Sequence, residues 1–128
     1  MGARVNIYLF VLLCTNVLSA QEIVESIEWD ASRKLTWEDF RGSVPLDAVP
    51  AATTASGISY EYSANLMHHE VYLDFEVTAY FYPNESWYTP DSCDAFILQH
   101  EQLHFDISEV FARKMRMKLR STSFTENV

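Results

Sequence analysis

The sequence predicts an α+β domain in which a small antiparallel sheet packs against a long C-terminal helix. Two tracts and one length carry that expectation. From Met67 to Tyr82 the residues alternate, with Val71, Leu73, Phe75, Val77, Ala79 and Phe81 on one face and Tyr72, Asp74, Glu76, Thr78 and Tyr80 on the other. A period of two over such a run marks a strand with one buried and one wetter face. From Cys93 to Arg120 the apolar residues recur instead at helical spacings. The chain has 128 residues, enough for one domain around one core. The buried face of the strand needs a cover, and the last helix is the only long candidate.

The elements follow in order. Met1 to about Ala20 reads as a secretory signal peptide: Arg4 supplies a positive start, Val5 to Leu13 is mostly apolar, and Val17-Leu18-Ser19-Ala20 offers small residues for cleavage. The segment is too short and wrongly flanked for a stable membrane span. The domain then covers residues 21–128, about 108 residues, and the chain is expected to be secreted or to sit in the periplasm or cell envelope. Ile23 to Trp29 is a first strand, Asp30 to Arg33 a turn, and Lys34 to Thr36 a segment that could pair back as a hairpin. Thr36 can cap a short helical turn over Trp37 to Phe40, with Asp39 at the capping-box position. Val44 to Ala52, with Pro45 and Pro50, is a loop, and Thr53 to Tyr62 the next strand. Ser63-Ala64-Asn65 marks a turn before the long strand, which Pro83 to Ser86 closes. Asp91 is the expected N-cap of the last helix, with Asp94 at N3, and Ser121 to Val128 a frayed tail.

Composition limits the partners. Nine Lys and Arg stand against 18 Asp and Glu, a net charge of −9. The basic residues gather at Arg113, Lys114, Arg116, Lys118 and Arg120, where cations complement the C-terminal end of a helix dipole. The carboxylates elsewhere would repel phosphate, so a nucleic-acid partner is excluded. Cys14 leaves with the signal peptide and Cys93 stands alone, so no intramolecular disulfide forms in the remaining chain. A single Cys of this kind is most simply a small, half-buried apolar residue. The sequence specifies no oligomeric state.

The chemistry gathers at His100-Glu101-Gln102-Leu103-His104. This is H-E-x-x-H within the helical tract. Positions i and i+4 lie about 40° apart on a helix, so both imidazoles can point at one ion. Glu101 follows about 100° round, at the edge of the same site. A carboxylate there can take a proton from water and return it to a leaving amine. His100 and His104 are thus the candidate metal ligands, Zn2+ the candidate metal, and Glu101 the candidate general base. Phe96, Leu103, Ile107 and Phe111 fall on the same side of the helix as the two histidines, which places the site beside the expected buried stripe.

A third ligand is not evident. On a continuous helix Glu109 lies about 180° from His100 and Asp106 about 240°. His68 and His69, at the start of the long strand, could fold over the site. Glu70, Asp74 and Glu76 are further candidates, and Tyr80, Tyr82 and Tyr88 could donate to an oxyanion.

The sequence resembles the bacterial predicted secreted zinc-dependent proteases grouped as domain-of-unknown-function family 922. The matching strings are Leu35-Thr36-Trp37-Glu38-Asp39-Phe40-Arg41-Gly42, Ala51-Ala52-Thr53-Thr54-Ala55-Ser56-Gly57-Ile58, Ser86-Trp87, the stretch from Ile97 to Ile107, and Ala112-Arg113. They occur in the family's order and cover most of residues 21–128. The resemblance implies a zincin-like metallopeptidase acting on a peptide or protein substrate, with His100 and His104 as zinc ligands and Glu101 as catalytic base. Family members often continue past this helix into another polar motif with acidic and His residues. This sequence ends at Val128; if the third ligand belongs to that motif, the chain is expected to bind zinc poorly or not to cleave.

Overall fold

The computed structural model describes residues 24–67 and 70–124. The predicted signal peptide, His68 and His69 lie outside the described residues. The long alternating tract forms β4 (Glu70–Phe81), which pairs antiparallel along its whole length with β3 (Ser56–Met67). β1 (Ile27–Glu28) adds to the other edge of β4, giving the order β1-β4-β3. A separate two-stranded sheet joins β2 (Ala52–Thr53) to β5 (Trp87–Tyr88). The helix α1 (Ala95–Arg120) packs on β4 and β3. The architecture is therefore α+β, with small antiparallel sheets and one C-terminal helix.

The alternation on β4 sets which face is buried. Val77, Ala79 and Phe81 point into the core, while Asp74 and Glu76 stay in water on the other face. Leu35 and Phe40 close the core from the N-terminal segment, and Phe105 and Ala112 close it from α1. Phe81 is the hub, with the rings of Phe40 and Phe105 at 5.1 and 5.7 Å.

Several boundaries differ from the sequence expectation. Ser63-Ala64-Asn65 is not a turn: the three residues pair with Asp74, Leu73 and Tyr72 inside β3. Their turn propensity yields to the cross-strand ladder, which the alternation of β4 holds in register. The first strand shrinks to two residues, and Lys34 to Thr36 forms no hairpin. Instead the Leu35 N–H donates to Gln102 Oε1 at 2.8 Å, tying this segment to α1. The helical turn at Trp37–Asp39 does form, and the Asp39 carboxylate accepts the Thr36 N–H at 2.8 Å.

The last helix starts later than expected. Pro90–Ser92 is a separate short turn. Asp94, not Asp91, caps α1, its carboxylate accepting the N–H groups of Phe96 and Ile97 at 2.9 Å each. The buried stripe is also a different one. Phe96, Leu103, Ile107 and Phe111 are exposed, and Glu101, Phe105, Glu109 and Ala112 face the sheet. Helical periodicity identified an apolar stripe, but α1 carries two. The sheet takes the one where Ala112 allows close approach and Phe105 meets Phe81.

Candidate metal centre

The hairpin and the β2–β5 pair place α1 so that one flank of its N-terminal half borders a cleft. Residues Pro50 to Thr54 form one wall, and Ile97, His100, Glu101 and His104 the other. The cleft holds about 410 Å³ and opens to solvent. Its loop wall is fixed by backbone contacts. Thr53 pairs with Trp87 and Ala52 with Tyr88, while Ala51 O accepts from Thr89 N at 2.8 Å and from the Cys93 thiol at 3.2 Å. Cys93 is thus half-buried and engaged as a donor, outside the histidine cluster.

The helix brings both imidazoles together as its geometry requires. His100 Nε2 and His104 Nε2 stand 3.1 Å apart, with their rings nearly perpendicular. Two nitrogens bound to one tetrahedral ion at roughly 2.0–2.1 Å would be about 3.3 Å apart. The observed separation is close to that spacing. The Glu101 carboxylate joins them, and donor atoms from the three residues all lie within 4.8 Å of one another. Both histidines are exposed, whereas Glu101 is 5% exposed. Two imidazoles and a carboxylate form a mixed N/O donor set of the kind that binds divalent first-row metals. The group could therefore hold a metal ion.

Glu101 is oriented by a residue that spacing did not single out. The Thr54 hydroxyl donates to Glu101 Oε2 at 2.7 Å and lies 3.2 Å from the Glu101 carbonyl oxygen. The two residues are 47 positions apart, and no local periodicity links them. The signal available in the sequence was the Ala51-to-Ile58 string as a whole, which points to the segment but not to a role for its hydroxyls.

The other candidates lie elsewhere. Asp106 accepts from Trp29 Nε1 at 2.8 Å and from Gln102 Nε2 at 2.9 Å. Glu109 is buried and paired with Arg113 and Arg116 at 2.8 and 2.9 Å. Arg116 also donates to Val77 O at 2.9 Å, which joins the helix to the β4 backbone. Asp106 therefore ties α1 to Trp29, and Glu109 orients Arg116, which makes the bond to β4. Asp74 and Glu76 are on the far face of β4. Tyr80, Tyr82 and Tyr88 do not line the cleft; Tyr88 stacks on Trp37 with ring centroids 4.5 Å apart. Among the described residues, the cluster contains His100, Glu101 and His104 alone.

Comparison with known protein families, with curated proteins and with solved structures gives no match.

Proposed function

We propose that the chain is a secreted zinc-dependent metallopeptidase with a zincin-like site. The convergence of His100 and His104 on one point, with Glu101 beside them in an open cleft, carries this reading. The resemblance of the His100-to-Ile107 string to the secreted zinc-protease family supports it. Zinc held by the imidazole pair supplies Lewis acidity towards a carbonyl and towards water. Glu101 takes the proton of the attacking water and returns it to the leaving amine. Thr54 keeps one carboxylate oxygen hydrogen-bonded, so the other is the oxygen that exchanges the proton. β2 is paired through one edge only among the described residues, and its segment forms the cleft wall. An extended peptide would lie along that wall by strand addition. No helix among the described residues is long and apolar enough to cross a membrane.

A second reading has its own observation. Glu101 lies within 4.8 Å of both imidazole nitrogens, and a side-chain rotation towards them would make it the third ligand of a non-catalytic zinc-binding domain. Elemental mass spectrometry of the purified chain, beside His100→Ala and Glu101→Gln, separates the readings. The peptidase predicts about one zinc per chain, lost in His100→Ala and retained in Glu101→Gln, with peptide cleavage abolished in both. Loss of zinc in Glu101→Gln would assign the carboxylate to the metal. Folded protein that binds no zinc would end both readings.

A further inference from the structure

The helix α1 is apolar on two opposite sides. Leu98, Phe105, Ala112 and Leu119 repeat every seven residues and face the sheet. Phe96, Leu103, Val110 and Met117 repeat with the same interval, two residues out of step and so about 200° round. This second stripe is in water, at 75%, 58%, 47% and 69% exposure, and Ile107 and Phe111 widen it. Nothing among the described residues covers it. A helix that is apolar on both sides belongs between two layers, and the described residues supply only one.

We propose that the outer stripe of α1 is a homodimer interface in which two copies of the helix pack antiparallel. Area, charge and register support this. The exposed apolar side chains present about 600 Å² per chain, at the upper end of what a monomer normally leaves in water. Two such faces bury about 1,200 Å², the lower end of specific stable interfaces. The helix ends are of opposite charge. Asp91 is exposed just before its start, and Lys114 and Lys118 are exposed beside the stripe along its last turns. An antiparallel pair sets the basic end of each copy against the acidic start of the other, and a parallel pair would align like charges. A two-fold axis between Asp106 and Ile107 matches Phe96 with Met117 and Leu103 with Val110 of the second copy, so both stripes mesh along their whole length. The interface borders the cleft: His104 lies about 100–120° round the helix from Leu103 and Val110, and His100 about 60–80°. The dimer does not depend on the metal reading.

Analytical ultracentrifugation of the full chain over a concentration series tests this. Reversible dimerisation is expected, weakened by added salt. Leu103→Lys with Val110→Lys should weaken it by at least about 30-fold, with the far-UV circular dichroism unchanged because both positions are exposed. Lys118→Glu should weaken it, and adding Asp91→Arg in the same chain should restore it. Direction is read by oxidation in a Cys93→Ser background. Phe96→Cys together with Met117→Cys should cross-link two copies, and Phe96→Cys alone should not. A monomer at every concentration would assign the stripe to another occupant, such as the N-terminal segment or a different protein, and overturn the proposal. A dimer indifferent to the lysine pair, or efficient cross-linking by Phe96→Cys alone, would overturn it as well.

Discussion

Thr54 and Glu101 carry much of the site's geometry between them. The carboxylate is nearly fully buried, and the Thr54 hydroxyl satisfies one of its oxygens at 2.7 Å. A buried carboxylate that loses such a donor bears the desolvation penalty without compensation. Thr54→Val is therefore expected to destabilise the fold by about 1–3 kcal/mol, measured by urea unfolding, with Thr54→Ser recovering most of the loss. An unchanged midpoint in Thr54→Val would show that water replaces the hydroxyl. The two histidines differ from Glu101 in this respect. They are exposed at the cleft, so their replacement should affect metal content and leave the stability of the metal-free chain nearly unchanged.

At the level of the elements, α1 begins on a cap and is tied to β4 by Arg116, which an ion pair within the helix orients. Asp94 accepts two backbone N–H groups of the first turn. Asp94→Ala should cost about 1 kcal/mol, read as a lower thermal midpoint. Arg116 links α1 to β4 through Val77 O and pairs with the buried Glu109. Arg116→Met leaves Glu109 with Arg113 alone and should destabilise by up to about 3 kcal/mol. Replacing both partners, Glu109→Leu with Arg116→Met, should recover most of that loss, because no buried charge is then stranded. A double mutant as unstable as the single one would show that the Arg116–Val77 bond, rather than the ion pair, holds the helix.

For the whole molecule, an ion held by His100 and His104 would couple to folding through α1. A ligand that binds only the native state stabilises it by about 2.7 kcal/mol at a free concentration one hundred times its dissociation constant. For a domain of this size that is a rise in melting temperature of roughly 10 °C or more. Saturating zinc should produce such a rise in the wild-type chain, a chelator should reverse it, and His100→Ala should abolish it. A melting temperature insensitive to zinc in wild type would mean that the histidines do not bind the ion in the folded state.

The sequence by itself determined the elements whose signal is local. Alternation from Leu73 to Phe81 specified β4 and its buried face, because side chains on a strand alternate with period two. Helical spacing specified α1, and the i, i+4 interval specified that His100 and His104 would meet. The tertiary structure alone decided which of the two apolar stripes of α1 is buried. Both have the same period, and the choice follows from the fit of Phe105 and Ala112 against Phe81 and its neighbours. It also decided the pairing of Ser63-Ala64-Asn65, where ladder register overrides local turn preference. The meeting of Thr54 with Glu101 across 47 positions was decided there as well, since a contact made by folding back of the chain leaves no period to read.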